Sequence, residues 1–214
     1  NNPMSGIMLY ASLVKEQLGD DHSAAGDMDV IINEAERCKQ IVADLLEFSH
    51  QTSYEQTGVE VAVQIQKALD VLLQQPIFHN IKLDLQIEPE LSRIFANPIR
   101  LNQVFMNLIV NAAQAMKGYG ELTIMAHHRS NQGIVEICFR DSGPGIPKEI
   151  QDQIFDPFFT TKTDSGGTGL GLSVSYAIVR EHKGTIHVKS EPGQGTTFTL
   201  RFPALQLDPT EAVS

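Results

Sequence analysis

The chain has 214 residues, of which 42% are hydrophobic, and its 26 acidic against 16 basic side chains give a formal net charge of -10. This balance, without a basic cluster, argues against a nonspecific nucleic-acid binder, and no apolar run has the length of a membrane span or the form of a signal peptide. Cys38 and Cys138 are too few for a disulfide framework, so we expect a cytoplasmic chain, which is compatible with a membrane anchor elsewhere in a longer parent.

Two amphipathic helices are predicted at the start of the chain. Apolar residues recur at spacings of three and four over 4–18 and again over 28–48, which is the helical period. The stretch 19–26 between them holds glycines, acids and a serine, so it predicts a loop that joins antiparallel helices. One hairpin cannot bury both apolar stripes, which predicts a homodimer through a four-helix bundle. Packing of the stripes on the second domain of the same chain is the alternative.

The rest of the chain predicts a mixed α and β domain after a polar linker over 52–59. In chain order we expect a short strand near 59, a helix over 63–75, strands over 81–87 and 93–96, a helix over 98–116, strands over 121–128 and 134–140, a helix ending at 180, and strands over 185–190 and 196–202. This order is typical of an α+β fold, a two-layer α/β sandwich with a mixed sheet and helices on one face. The predicted domains are therefore 1–54, the helical hairpin, and 55–205, followed by a loose tail over 206–214.

Two asparagines lie inside the apolar helix predicted over 98–116. Asn107 and Asn111 are four residues apart, which puts both amides on one helix face. An asparagine oxygen is a hard, neutral ligand suited to Mg²⁺, which keeps several waters and takes other ligands from phosphates. Solvent exposure is the ordinary alternative for a helix asparagine, and we accept it for Asn102 only.

The segment 141–172 is the most informative part of the chain, and it opens with D-S-G-P-G. Asp141 follows an apolar strand, so its carboxylate is expected at the edge of the sheet where that strand ends. There it can accept a hydrogen bond from the exocyclic amine of adenine. Gly143 and Gly145 have no side chains, which lets the backbone approach a flat base. A lone D-x-G-x-G is a common turn, so this motif alone leaves the function open.

A second glycine cluster closes the same segment with G-G-T-G-L-G-L. It leads into the apolar run 172–179, which predicts a helix that begins within the glycines and offers exposed amides to a phosphate. The aromatic-rich sequence F-D-P-F-F-T-T-K between the two clusters is typical of a mobile cover. A P-loop is excluded because no glycine-rich turn ends in Lys-Ser or Lys-Thr.

N-x-x-x-N, D-x-G-x-G, an F box and G-x-G-x-G, in this order, resemble the ATP-binding domain of sensor histidine kinases within the GHKL ATPase superfamily. The resemblance covers 59–203, including G-Q-G-T-T-F over 193–198, and 3–52 is similar to the dimerisation and phosphotransfer hairpin of that family. It implies the core of a two-component kinase, which binds Mg-ATP, transfers the γ-phosphoryl group to a histidine and passes it to an aspartate of a response-regulator receiver domain.

The resemblance also implies roles for single residues. Asn111 would be the main Mg²⁺ ligand, assisted by Asn107. Asp141 would read adenine, and Thr196 would support it through its hydroxyl or a bound water. Lys162 would be the lid cation that reaches the phosphates.

The remaining implied contacts lie on the two glycine clusters and the lid. Phe155, Phe158 and Phe159 resemble the F box, whose aromatics hold the lid to the domain. Where many relatives have a lysine after the second asparagine, this chain has Gln114, so a phosphate contact is not expected there. The other nucleotide contacts that the resemblance implies are Gly143, Gly145, Ile146, Phe159, Thr160, Thr161, Gly167, Thr168, Gly169, Leu170, Gly171 and Leu172.

The first three residues, Asn1-Asn2-Pro3, resemble the tail of the H-E-x-x-N-P box that carries the phosphoacceptor histidine. The resemblance therefore implies a histidine upstream of Asn1, and we expect this chain to bind ATP without labelling itself. Asn2 would occupy a position that assists dephosphorylation of the response regulator. An ordinary helix start, with Asn2 as N-cap and Pro3 at the first helical position, is the alternative.

Two other functional classes stay open. A clamp ATPase of the gyrase kind shares these boxes but needs a catalytic glutamate at the start of the asparagine helix, where this chain has Gln103 and no glutamate. A degenerate kinase that serves as a dimerisation or regulator-binding module would have no affinity for ATP.

Overall fold

The computed structural model describes residues 2–19, 22–49, 55–161 and 167–205. Two units divide the chain, one formed by Asn1–Thr52 with Asp156–Gly171 and the other by Ser53–Phe155 with Leu172–Ser214. Lys162 and the predicted tail over 206–214 lie outside the described residues, as does the side chain of Asn2.

Two helices, α1 (Asn2–Leu18) and α2 (Ala25–Ser49), make the hairpin of the first unit. Gly19 ends α1 with a positive φ of 77°, a conformation that glycine adopts without steric cost. Because α2 already begins at Ala25, the connecting loop is shorter than predicted. Three alanines are buried in this unit, and small side chains let two helices approach closely: Ala11, Ala25 and Ala35.

A five-stranded mixed sheet is the centre of the second unit. Its spatial order is β2-β4-β5-β7-β6, in which β2 runs parallel to β4 and the other neighbours are antiparallel. The strands of this sheet are β2 (Asn80–Ile87), β4 (Tyr119–Arg129), β5 (Ile134–Asp141), β6 (Thr185–Ser190) and β7 (Thr196–Pro203). The short strands β1 (Thr57–Val59) and β3 (Ile94–Ala96) pair antiparallel in a separate two-stranded sheet, and Ile94 of β3 also forms an isolated bridge with Ala204.

In its described residues, the second unit has three longer helices and two short ones. These are α3 (Val61–Leu72), α4 (Pro98–Ala115), α5 (Lys148–Gln151), α6 (Gly171–Glu181) and a 3-10 turn (Pro76–Phe78). The predicted helix over 63–75 thus begins and ends earlier, and α5 is too short to produce a periodic signal. None of the helices in the described part of the chain combines the length and apolar character that a bilayer crossing requires.

The helices cover one face of the sheet, as predicted. Alternate strand residues point to that face and are buried, since successive side chains of a strand lie on opposite faces. The central ones are Leu122, Ile124, Ala126, Val135, Ile137, Phe139, Phe198, Leu200 and Phe202. On α4, the ring of Phe105 lies 5.5 Å from that of Phe139 between centroids, so this helix packs directly on β5. The predicted two-layer fold is confirmed.

The opposite face of the sheet is polar and carries an ion cluster around Glu136. Its carboxylate accepts hydrogen bonds from Arg201 Nε at 2.7 Å, Arg129 Nη2 at 2.9 Å and His127 Nε2 at 3.0 Å. Burial raises the pKa of Glu136, but the hydrogen bonds from Arg201, Arg129 and His127 outweigh it and lower that pKa to about 2. Glu136 is therefore a fully ionised group that three strands share.

Asn102 differs from its expected exposure. Asn102 is half-buried, and its Oδ1 atom is buried without a hydrogen-bond partner among the described residues. The position on α4 explains the difference, since that helix packs along the sheet and leaves little of its length in water.

Candidate nucleotide and metal site

Asp141 is the last residue of β5 and lies between two neighbouring strands. It stands opposite Leu122 of β4 and Thr196 of β7. Only 5% of the residue is exposed, and its Oδ1 accepts from Gly143 N at 2.8 Å and from Thr196 N at 3.3 Å. Burial raises the pKa of this carboxyl, while the backbone donors oppose that rise. One oxygen of the carboxylate is thus anchored to the backbone.

The loop after Asp141 packs backbone against backbone. Gly145 has a φ of 76°, and a Cβ there would overlap the carbonyl oxygen of Glu191. A Cβ on Gly195 would likewise overlap the carbonyl oxygen of Asp141, and one on Gly143 would lie 2.7 Å from Asp141 Oδ1. Glycine is therefore required sterically at 145 and 195, where the opposing atom is backbone, whereas a side chain at 143 would displace the Asp141 carboxylate.

A hydroxyl cluster joins this loop to the ends of β6 and β7. Ser190 Oγ accepts from Ile146 N at 2.8 Å and lies 3.0 Å from Thr196 Oγ1. Gln151 of α5 donates through Nε2 to the carbonyl oxygens of Ile146 at 2.7 Å and Ser190 at 2.9 Å. The predicted residues Asp141, Ile146 and Thr196 are thus held in one constellation by two residues that the sequence patterns did not single out.

The two asparagines of α4 form a relay that ends on α6. Asn107 Nδ2 donates to Ser175 Oγ at 2.8 Å, and Asn111 Nδ2 donates to Asn107 Oδ1 at 3.2 Å. Both asparagines are half-buried, whereas Ser175 is 1% exposed. One turn after Asn111, the Cβ of Ala115 would lie 3.5 Å from a Cβ on Gly143, so α4 adjoins the loop that follows Asp141. Half-buried amide oxygens are a donor set that suits Mg²⁺.

The start of α4 is fixed by a cap and by a buried histidine. Asn97 is the N-cap, and its Oδ1 accepts from Ile99 N and Arg100 N, both at 2.9 Å. The backbone N–H of Asn97 donates to His182 Nε2 at 2.9 Å, while His182 Nδ1 lies 2.7 Å from Ile178 O. The ring therefore accepts at Nε2 and donates at Nδ1, which defines one neutral tautomer.

The aromatic residues of the predicted F box have different surroundings. The ring of Phe155 lies 5.6 Å from that of Tyr176 and 6.4 Å from that of Phe198, so it packs in the second unit. Phe158 is 57% exposed and has a φ of 67°, so it does not share this packing. Phe159 is exposed only in part and belongs to the first unit.

The second glycine cluster leads into α6, as its pattern predicts. Gly169 has a φ of 70°, and a Cβ there would overlap the backbone of Phe158. Leu170 N lies 3.4 Å from Thr168 Oγ1, and α6 begins at the next residue, Gly171. The predicted contacts within the described part of the first unit are Phe159, Thr160, Thr161, Gly167, Thr168, Gly169, Leu170 and Gly171. Leu172 is the second residue of α6 and opens the second unit's part of that helix.

Four residues that shape this site were missing from the sequence predictions: Gln151, Ser175, Ser190 and His182. A weak signal exists for Ser175, a hydroxyl inside an apolar helical run. For the other three, the partners are carbonyls, hydroxyls and amides distant in the chain, so no local pattern points to them.

Comparison with known families gives the site a context. Residues 96–206 match the family described as histidine kinase-, DNA gyrase B-, and HSP90-like ATPase. The chain belongs to this family. Residues 1–53 match the His Kinase A (phospho-acceptor) domain, so the helical hairpin precedes an ATPase domain of histidine kinase type. The predicted resemblance to sensor histidine kinases is confirmed, and membership of this ATPase family implies that the domain binds ATP.

Sensor histidine kinases are among its relatives. The chain is 38% identical to the sensor histidine kinase ZraS of Escherichia coli (strain K12) over 205 residues, which cover 94% of the chain and 43% of ZraS. It is 32% identical to sporulation kinase E of Bacillus subtilis (strain 168), over 96% of the chain and 27% of that kinase. The chain thus spans less than half the length of these curated relatives.

A solved structure is similar over most of the chain. The histidine kinase ThkA in complex with the response regulator protein TrrA is similar at a TM-score of 0.72 and 30% identity, over 95% of this chain and 58% of that one.

Proposed function

We propose that this chain is the nucleotide-binding and phosphotransfer core of a two-component histidine kinase. In this proposal it binds Mg-ATP, transfers the γ-phosphoryl group to a histidine, and passes it to an aspartate on a response-regulator receiver domain. The observation that carries the proposal is the buried carboxylate of Asp141, which has one oxygen anchored by backbone amides. The family matches to an ATPase domain and a phospho-acceptor domain support the same activity.

The adenine end would be read by hydrogen-bond acceptors on the edge of the sheet. Burial of Asp141 opposes its ionisation, so a further hydrogen-bond donor on this carboxylate would be favourable. An exocyclic amine would satisfy its outer oxygen, and the glycines at 143 and 145 leave room for a flat ring. This arrangement selects a purine that donates at position 6.

The metal end would be held by the asparagine pair. Asn111 donates through Nδ2 to Asn107, and its Oδ1 would be the main ligand. Asn107 uses its Nδ2 on Ser175 and its Oδ1 on Asn111, so its main task would be to orient Asn111. When bound, Mg²⁺ would supply positive charge that neutralises the phosphates, and Asn111 would hold it.

The glycine-rich segment would supply backbone amides to the phosphates at the start of α6. Gly167, Gly169 and Gly171 carry no side chains that block an approaching anion, and amides at a helix start favour negative charge. Lys162, which lies outside the described residues, would add a cation. Transfer would then depend mainly on positioning and charge neutralisation.

Loss of adenine recognition tests the nucleotide site directly. In calorimetry with a non-hydrolysable ATP analogue and Mg²⁺, we expect the wild-type chain to bind and Asp141→Asn to lose at least about tenfold in affinity, since a charged acceptor is removed. The same variant should unfold at a higher temperature at neutral pH. Burial raises the folded-state pKa of Asp141, so this group destabilises the fold once the pH exceeds that pKa, and asparagine removes the effect.

Asp152→Asn is the matched control, because Asp152 is an exposed aspartate beside α5. It should change neither affinity nor melting temperature. A wild-type chain without nucleotide affinity would favour a degenerate regulator-binding module. Steady release of phosphate from ATP, at the rate of a cycling enzyme, would favour a clamp ATPase instead.

We also propose that two copies pair through the helical hairpin. Ile7, Val14 and Ile31 are each 41–45% exposed although they belong to the apolar stripes. A groove of about 510 Å³ between the helices is lined almost entirely by apolar atoms. Burial of these side chains against a second copy would remove them from water. This removal contributes about 25 cal/mol in favour of association for each Å² of apolar surface that is buried.

Light scattering tests the pairing. The wild-type chain should have twice the monomer mass, and Val14→Asp should give the monomer mass, because a carboxylate in the groove opposes its burial. Val71→Asp, on an exposed valine of α3 outside the groove, is the matched control and should leave the dimer intact. A monomeric wild type would remove this part of the proposal without affecting nucleotide binding.

A further inference from the structure

Ser190 is the centre of a hydrogen-bond cluster beside Asp141. Its Oγ lies 2.8 Å from Ile146 N, 2.9 Å from Gly195 O and 3.0 Å from Thr196 Oγ1. Ser190 and Thr196 are each only 6% exposed, so these protein contacts replace water as their partners. The cluster therefore fixes where each hydroxyl proton lies.

Counting protons gives the direction of each bond. A backbone carbonyl can only accept, so the single proton of Ser190 goes to Gly195 O. The amide of Ile146 can only donate, and it donates to Ser190 Oγ. No proton of Ser190 is left for Thr196, so the Thr196 hydroxyl donates to Ser190. Thr196 Oγ1 therefore offers lone pairs alone to anything else that it meets.

The acceptor formed in this way lies next to the carboxylate. Thr196 and Asp141 are directly paired residues of β7 and β5 and point to the same face of the sheet. Both present hydrogen-bond acceptors, one through a directed hydroxyl and one through a carboxylate oxygen. A 6-amino purine, or a water that it orients, can donate to both, whereas a 6-oxo purine presents another acceptor.

We infer that Ser190 is a positioning residue that determines the specificity for 6-amino over 6-oxo purine nucleotides. It acts through Thr196, by taking the hydroxyl proton that would otherwise rotate toward a 6-oxo group. Gln151 keeps the cluster in place because its Nε2 donates to both Ser190 O and Ile146 O. This inference rests on the proposed function, since it concerns the same nucleotide site.

The test compares ATP with inosine triphosphate, in which an oxo group replaces the 6-amino group and N1 carries a proton, while the rest of the nucleotide is the same. Affinities are measured by calorimetry, with Mg²⁺, for the wild type, Ser190→Ala, Thr196→Val and the double variant. We expect the wild type to prefer ATP, and Ser190→Ala to reduce that preference by about tenfold, the effect of one or two hydrogen bonds. Thr196→Val should reduce it similarly, and adding Ser190→Ala to Thr196→Val should change it little further.

A purely structural role would give a different result. If Ser190→Ala weakened both nucleotides equally, or reduced the preference further in the Thr196→Val background, the inference would be wrong. A wild type that binds both nucleotides equally would also overturn it, whereas one that binds neither would instead refute the proposed function.

Matched controls come from the same chain. Ser130→Ala lies in the exposed loop between β4 and β5, and Thr197→Val lies on the opposite face of β7, so neither should alter the preference. Melting temperatures establish that each variant is folded. If Ser190→Ala does not fold, Ser190→Cys replaces it, because a thiol keeps the volume but is a weak donor and acceptor.

Discussion

Ser175 shows how one buried hydroxyl can set the orientation of two amides. It is 1% exposed on α6, and it accepts from Asn107 Nδ2. With Nδ2 so engaged, Oδ1 of Asn107 is turned to Asn111, whose own Nδ2 donates to it. The orientation of the proposed metal ligand on α4 thus depends on a side chain of another helix.

Removal of this hydroxyl should weaken metal binding selectively. In Ser175→Ala, Asn107 Nδ2 loses its acceptor, and we expect the Mg²⁺ concentration for half-maximal nucleotide binding to rise by about five- to tenfold, as for one lost buried hydrogen bond. Nucleotide affinity in the presence of a metal chelator should be unchanged, since the adenine end is separate. Ser130→Ala is the control, and an unaltered Mg²⁺ requirement in Ser175→Ala would contradict the relay.

Residues of the site were predictable where chemistry and local spacing coincide. Asn107 and Asn111 are four apart on one helix, and Asp141 precedes its glycines directly, so a short window contains each signal. Ser175 is 68 residues from Asn107 in sequence, and the contact exists only after α4 and α6 have packed. Such a partner cannot be deduced from a single sequence, because nothing local distinguishes it from a core serine.

At the scale of elements, α4 is held at its start by groups from elsewhere in the second unit. The N-cap residue Asn97 donates through Nδ2 to Glu55 O at 3.1 Å and through its backbone N–H to His182. Arg100 adds an ion pair with Glu181 at 3.8 Å. These bonds set where α4 begins and therefore where its asparagines lie along the sheet.

Truncation of His182 should release this end of α4. His182→Ala leaves the buried amide of Asn97 without an acceptor and opens a cavity, so we expect the free energy of unfolding to fall by about 2–4 kcal/mol in urea titrations. His187→Ala, on an exposed histidine of β6, should change it by less than about 0.5 kcal/mol. Equal effects of the two substitutions would show that the cap contact adds no stability.

Element types were predicted better than their partners. The period of apolar residues indicated α4, β5 and β7 because each buries a regular face. The pairing of β1 with β3 was not predicted, since two three-residue strands have no periodicity to read. α5 was missed for the same reason, although it carries Gln151 and so helps to hold the proposed adenine loop.

At the scale of the whole molecule, the ion cluster on the polar face should govern acid stability. The pKa of Glu136 is about 2 in the fold against an ordinary 4.5. A carboxyl group whose pKa is lower in the folded than in the unfolded chain stabilises the fold. This stabilisation is complete at a pH above the pKa of the unfolded chain and is lost as the pH falls through the pKa of the folded chain. We therefore expect the free energy of unfolding to fall by about 2 kcal/mol between roughly pH 5 and pH 2. This figure allows for solvent screening at the half-exposed arginines.

Glu136→Gln is the variant that checks this dependence. Urea titrations at several pH values should show it less stable than the wild type at pH 7, with the difference shrinking toward pH 2. Glu149→Gln, on an exposed glutamate of α5, should follow the wild-type curve. A difference that stays constant with pH would exclude Glu136 as the titrating group.

The overall architecture followed from the order of elements and the alternation within strands, because a sheet with one apolar face must be covered by helices on that face. What composition and periodicity could not supply is the polar face, where Glu136 joins β4, β5 and β7. Its partners Arg129 and Arg201 are ordinary surface residues by sequence, and only strand register brings them to one carboxylate.

The steric contact at Gly145 and Gly195 limits how this molecule can be re-engineered. At both positions a hydrogen atom is all that the opposing carbonyl permits. Efforts to change the specificity of the proposed nucleotide site must therefore keep glycine at both positions. Ser142 in the same loop is also engaged although it is exposed, because its Oγ accepts from Glu121 N at 2.9 Å, so its replacement would cost that bond.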